Sequence, residues 1–221
     1  MTRLTWDEVG KRFYESGAEQ AVLYPYSSNA YATGAAWNGF IAFEQNPEGG
    51  DAKPLYANDH QYLQLMSNEK FKGTLKAYTY PKEFEPCMGV KELSKGIKVG
   101  QQDRQMFGLS YKTLIGSDAK GTSEGYKIHL VYGCKVSPTQ IAYTSETEDP
   151  NAIEMSWAVN TTPIEIEGMK PSAHIEISSL DFAPEIMKKL EDKLYGDTSA
   201  GNATLPTPSE LVTLLSSPEA A

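Results

Sequence analysis

Alternation of apolar and polar positions with a period of two dominates the chain. Phe71, Gly73, Leu75 and Ala77 put apolar or small groups on one side, with Lys70, Lys72, Thr74 and Lys76 on the other. Phe107, Leu109, Tyr111, Thr113 and Ile115 alternate with Gly108, Ser110 and Lys112, and Tyr126, Ile128, Leu130 and Tyr132 alternate with Lys127 and His129. The same rhythm runs through Ile153, Met155, Trp157 and Val159, and again through Ala173, Ile175 and Ile177. Each segment predicts a strand with one face on a core and the other on water or a partner. Enrichment in Tyr, Val, Ile and Thr agrees.

Punctuation between these runs predicts the connections. Gly116 to Gly125 is rich in turn residues and joins two strands as a hairpin loop, and Asn46-Pro-Glu-Gly-Gly50 is a loop tip between Ala36–Glu44 and a short extended piece around Leu55. Pro81–Gln102 holds several Pro and Gly residues without a sustained period, so it predicts a long irregular loop. One helix is clear, because Ala183, Ile186, Met187, Leu190 and Leu194 form a single apolar stripe. Asp181 can cap its start, Pro184 suits the first turn and Gly196 the C-terminal end. Trp6–Tyr14 can make only a turn or two of helix. Beyond Gly196 the composition turns small and polar, predicting a linker over 197–207 and a short, loosely held C-terminal tail over 208–221, where Ser209–Ser217 can form a capped helix. The expected fold is therefore mainly β, a two-sheet sandwich or barrel in residues 1–196 with one flanking helix at about 183–195.

Composition narrows the function. With 221 residues and 40% hydrophobic content the chain can bury a sizeable core. It lacks any apolar run long enough to span a membrane, and its N-terminus lacks the basic-then-apolar order of a secretory signal, so it is expected inside a cell. A net charge of −9 argues against gripping nucleic acid by its phosphates. The charge is uneven: 66–135 is net basic, whereas 141–181 is strongly acidic with Lys170 as its one base. Complementary faces of a self-assembling subunit would show that separation.

Candidate chemistry is sparse. Cys87 and Cys134 are too few for a disulfide framework and read as buried thiols. His60, His129 and His174 have no metal-ligand spacing, and Glu146, Glu148 and Asp149 lack the regular alternation and Gly of a calcium loop. Gly121-Thr-Ser-Glu-Gly125 has the Gly-x-Ser-x-Gly spacing of a nucleophile elbow, but it lies in the hairpin loop between two strands and not at a strand-to-helix turn, and no phosphate loop is present. No catalytic residue, metal or cofactor is expected, and an enzyme ranks below a scaffold or binding function.

Several blocks, in order, resemble the major tail proteins of siphophages infecting Gram-positive bacteria. They are Trp6, Arg12-Phe-Tyr-Glu-Ser-Gly17, Ala21-Val-Leu-Tyr-Pro25, Ala36-Trp-Asn-Gly39, Thr79-Tyr-Pro-Lys-Glu-Phe84, Gln101-Gln-Asp-Arg104, Phe107 to Gly116, Gly125-Tyr-Lys-Ile-His-Leu-Val-Tyr132 and Leu194-Tyr-Gly196. Ala21 departs from the family's Gly at that place. The resemblance spans roughly residues 3–196. It implies a virion protein, assembled in the host cytoplasm, whose copies form hexameric rings that stack into a tail tube. Its implied partners are itself and the tape-measure, tail terminator and distal tail proteins, with double-stranded DNA passing through unbound.

That reading adds two sets of expected site residues. Lys82, Lys91, Lys95 and Lys98, in the irregular stretch, would serve assembly. Glu154, Glu165, Glu167 and Glu176 would line the lumen, where negative walls repel DNA over roughly 8–10 Å; alternatively they merely solvate an outer wall. Rival functions are a carbohydrate- or surface-binding β-sandwich, with Tyr and Trp gathered on one exposed face, and another head–tail structural protein.

Overall fold

The computed structural model describes residues 3–143, 145, 152–197 and 201–216. In chain order the strands are β1 (Phe13–Ser27), β2 (Ala30–Tyr31), β3 (Ala35–Ala36), β4 (Phe40–Gln45), β5 (Ala52–Ala57), β6 (His60–Met66), β7 (Lys72–Ala77), β8 (Lys91–Ser94), β9 (Ile97–Val99), β10 (Phe107–Ser117), β11 (Gly121–Val136), β12 (Met155–Thr161) and β13 (His174–Ser178). The helices are α1 (Glu85–Met88), α2 (Pro184–Tyr195) and α3 (Pro208–Leu215).

The expected mainly β architecture is present, drawn from one antiparallel sheet that curls back on itself. Its path is β2-β1-β10-β11-β12-β7-β4, with β13 beside β11 and β3 beside β1. β3 leads through Trp37–Gly39 into β4, and it pairs with β1 at Val22↔Ala36 and Leu23↔Ala35. The far end of the sheet thus returns toward its start and curls into a barrel, with β2 and β3 covering part of the second edge of β1, while β7 is the one described strand paired with β4. The long strand β11 is where the sheet divides. Residues 127–131 pair with β13, and 134–136 pair with β12. Between them Gly133 has a φ of 61°, and the Thr162 N–H donates to its carbonyl at 3.0 Å. A Cβ there would lie 2.2 Å from the Thr162 oxygen, so only glycine permits this bend.

The apolar faces predicted by period two point inward in β7 and β12: Gly73, Leu75, Ala77, Trp157 and Val159 are buried. In β10 and β11 the alternation of burial vanishes, because both faces are covered. Leu23, Phe107, Leu109, Tyr111 and Val131 fill the barrel. On the opposite face Val22, Tyr24, Ile128, Leu130, Tyr132 and Ile177 meet the apolar stripe of α2, formed by Met187, Leu190 and Leu194. Tyr24 Oη lies in this second core and donates to the Leu194 carbonyl at 2.8 Å, tying β1 to α2.

Four boundaries differ from those expected. The β10–β11 turn is only Asp118–Lys120, because Ser117 Oγ donates to Glu124 at 2.8 Å and accepts from the Lys120 N–H, so the polar flanks pair. Asp181 does not cap α2. It ends a 3-10 turn over Ser179–Asp181, and Ala183 stands at the N-cap without a side-chain bond. Pro81–Gln102 is not irregular: a 3-10 turn and α1 carry the fully buried Phe84 and Cys87 into the barrel core, followed by the β8–β9 hairpin. The described part of the expected linker and tail is packed as well. Leu205 and Leu211 belong to the second core, the Tyr132 hydroxyl donates to the Pro206 carbonyl at 2.9 Å, and the Gly34 N–H donates to the Ala203 carbonyl at 2.8 Å. Thr207 and Glu210 close a reciprocal capping box on α3, so two longer helices flank the sheet instead of one.

Candidate functional site

Outside the barrel, two hairpins stand as separate two-stranded sheets, β5–β6 and β8–β9. In β5–β6 the turn residues Asn58 and Asp59 have φ of 50° and 61°, the left-handed pair that a two-residue hairpin turn requires. Every residue of the hairpin strands is exposed, although Leu55, Tyr56, Tyr62, Leu63, Leu65 and Met66 are large and apolar. The sequence signal for β6 was weak, since its polar positions break a clean alternation and only the piece near Leu55 stood out. Leu4, Trp6 and Val9 add further exposed apolar groups near the N-terminus.

The β8–β9 hairpin turns at Gly96, whose φ is 82°. Leu93, Ile97 and Val99 are exposed on it, Leu93 at 74%. The four assembly-candidate lysines all lie on or beside this hairpin and are all exposed. Lys82 pairs with Glu92 at 3.4 Å, and Lys98 pairs with Glu85 at the hairpin base. The Gly96 N–H and Lys82 together hold the Glu92 carboxyl below the usual range. Lys91 and Lys95 take part in no ion pair among the described residues, which leaves one such cation at the start of β8 and one at the turn.

The four lumen-candidate glutamates do not share one face. Glu154 precedes β12 on the outer side of that wall, near Lys76. Glu176 lies on β13 opposite His129, on the barrel side of the sheet, and its pairing with Lys127 at 2.9 Å keeps its carboxyl ionised to lower pH than usual. Glu165 and Glu167 are exposed in the loop between β12 and β13. The structure therefore gathers Glu165, Glu167 and Glu176 along one groove of about 1760 Å³ and leaves Glu154 elsewhere. The groove runs between the 162–172 loop and α3, with Ile164, Ile166, Met169, Ile175 and Leu211 among its apolar walls. β13 is hydrogen-bonded to β11 along one edge, and no described strand pairs with the other.

Titratable groups inside the barrel form an aromatic ladder. Phe71 stacks on His174 at 4.8 Å, His174 on His129 at 5.4 Å, and His129 on Tyr111 at 4.6 Å between ring centroids. Burial holds His174 down to about 4 and also lowers His129. Neutral rings packed this way act as core. Cys87 and Cys134 are buried, and desolvation pushes both thiols up, Cys87 to about 12, so neither is a ready nucleophile. Among the described residues no cluster of three His, Cys, Asp or Glu could hold a metal ion, and no helix is long and apolar enough to cross a membrane. The acidic group Glu146, Glu148 and Asp149 lies outside the described residues.

No family model matches the chain, and no curated protein matches it.

Proposed function

We propose that the chain is a structural subunit that assembles with copies of itself into stacked hexameric rings, forming the tail tube of a siphophage and the conduit for its genome. One observation carries this reading: a barrel whose own apolar faces are already buried, inside and under α2, bears two isolated hairpins that expose apolar side chains. A two-stranded hairpin is marginally stable alone in water, and exposed Leu, Tyr and Met on it favour burial against a partner. Contacts of this kind between unlike surfaces of one chain propagate, and a suitable rotation closes them into rings. The net charge of −9 suits a conduit that must pass DNA without holding it.

Partners in this role are the tape-measure protein inside the tube and the terminator and distal tail proteins at its ends. The glycan-binding rival is less well supported, because two of the three tryptophans, Trp37 and Trp157, are packed in the barrel, leaving Trp6 as the exposed one. Negative-stain electron microscopy of the purified chain at high concentration tests the proposal. Hollow tubes or six-fold rings are expected, and a strict monomer at every concentration would overturn it.

A further inference from the structure

We propose that the β8–β9 hairpin of one copy seats in the groove between the 162–172 loop and α3 of a second copy, alongside the open edge of β13. The inference rests on the reading of the chain as a self-assembling subunit and names the two surfaces that meet.

Three features of the groove point to this occupant. Its walls are apolar side chains, including Ile164, Met169 and Leu211, and Met169 is 75% exposed. Its rim is acidic: Glu165, Glu167, Asp181 and Glu210 line it against Lys170 and Lys193, and Glu176, which also borders it, is already paired with Lys127. Along it runs a strand paired on one side only, so its second row of backbone groups is open to another strand.

The hairpin offers the complement of each. Leu93, Ile97 and Val99 supply apolar surface, Lys91 and Lys95 are cations without a partner among the described residues, and β8 at four residues matches the five of β13. Both ion pairs at the hairpin run back to its own base, Lys82 to Glu92 and Lys98 to Glu85, and neither reaches the groove. The β5–β6 hairpin is a poorer fit. Its strands and turn hold Lys53 and Asp59 as one charge of each sign, so an acidic rim does not select it. Copies that each carry −9 repel one another, and complementary local charge is what orients such an encounter. Hairpin and groove are different surfaces of the same chain, so the contact is head-to-tail and repeats from copy to copy. It assigns Glu165 and Glu167 to the joint between copies instead of a channel wall.

The test is charge exchange in the full chain. K91E/K95E and E165K/E167K each alter only exposed side chains, and each is expected to raise the concentration needed for assembly at least tenfold at low salt. Combining all four substitutions in one chain should restore assembly, because the pairing is then inverted. A second measurement traps the contact: the L93C/M169C chain, mildly oxidised, should form disulfide-linked ladders, while Cys87 and Cys134 stay buried and silent. Tubes that form normally in both reversal variants would overturn the contact and leave the tube reading intact. Cross-linked oligomers that never become tubes would overturn the tube reading and leave the contact intact. Copies that never cross-link leave the groove to another occupant and overturn the contact.

Discussion

The imidazoles of His129 and His174 lie 5° from parallel, with His129 Nδ1 3.2 Å from His174 Nε2. A neutral pair satisfies this contact with one N–H, and His129 Nε2 meets the Thr113 hydroxyl at 3.0 Å. Protonating both rings sets two N–H groups against each other in a half-buried site. Of the charged groups nearby, Glu176 and Glu15 favour the cation at His129 and Lys127 opposes it. Burial, then His129, holds His174 at about 4, so the folded state resists a proton that the unfolded state accepts near 6.5. Stability should therefore rise with pH between about 4 and 6.5 and fall as acid is added through that window. Because the rings are only partly shielded, we expect a loss on the order of 1–2 kcal/mol, about half of what the shift would give undiscounted. Urea unfolding across pH 4–7 measures it, and His174→Phe should flatten the dependence. An unchanged slope in that variant would contradict the assignment.

Trp157 and Trp37 distinguish packing from hydrogen bonding in the same aromatic cluster. Trp157 is 2% exposed and lies 5.2 Å from Phe84 between ring centroids, and its Nε1 has no hydrogen-bond partner. Trp37 Nε1 donates to the Thr79 carbonyl at 2.8 Å. Trp157→Ala should cost about 3–5 kcal/mol through the cavity it leaves. Trp157→Phe should cost less than Trp37→Phe, by roughly 1 kcal/mol, since only the latter orphans a carbonyl. Paired denaturant melts decide it, and equal costs would count against the argument.

The strands, their inward faces and the α2 stripe were legible because period two and period 3.6 report one buried face directly. What was not legible arose where tertiary contact replaces pattern. Phe84 and Cys87 sit among Pro and Gly, and no local period announces that they enter a barrel. Leu205 lies in apparent linker just before Pro206 and Pro208, yet it meets Gly108, whose missing Cβ makes room for it. The groove was invisible for the same reason, since Glu165, Glu176 and Glu210 come from three separate segments. The lysines at β8–β9 were found by sequence as a cluster, but not the hairpin that presents them.

Ending the chain at Gly196 should destabilise the body, contrary to the expectation of a linker over 197–207 and a loosely held tail over 208–221. The cut exposes the surfaces of Val22, Tyr24 and Tyr132 that Leu205 and Leu211 cover, and it leaves the Tyr132 hydroxyl and the Gly34 N–H without their partners. Each buried leucine contributes about 1.5–3 kcal/mol, so a loss of roughly 3–6 kcal/mol is expected. Leu205→Ala alone should cost about 2–5 kcal/mol. A truncated chain that melts with the intact one would show that the segment adds nothing.

Shortening the β8–β9 hairpin should separate folding from assembly if the cut respects the core. Removing Glu85–Lys98 would take Cys87 out of the barrel and is expected to unfold it. Replacing only Lys91–Ile97 by a tight turn leaves Phe84, Cys87, the Lys98–Glu85 ion pair and the Gln102 N–H bond to the Gly89 carbonyl in place. That variant should melt within about 2–4 °C of the parent, the shift of a change near 1 kcal/mol in a chain of this size. Its assembly should be lost. Tubes of normal length would show that the hairpin is not an assembly element.

Replacing the β5–β6 hairpin tests the larger exposed surface. Its strands bury nothing in either core, and its backbone bonds are internal to the hairpin. Cutting Ala52–Met66 down to an Asn-Gly turn therefore removes no packing from the barrel. It also removes six exposed apolar side chains, with Tyr62 at 73% and Met66 at 71%. If those groups await a partner, the intact chain should bind a hydrophobic dye such as ANS when dilute and lose that signal as copies associate. The shortened chain should bind little dye at any concentration, remain folded by circular dichroism and sediment as a monomer. Dye binding that is unchanged by the deletion would place the sticky surface elsewhere, on the N-terminal Leu4, Trp6 and Val9. Assembly that is unchanged would leave β8–β9 as the hairpin that joins copies.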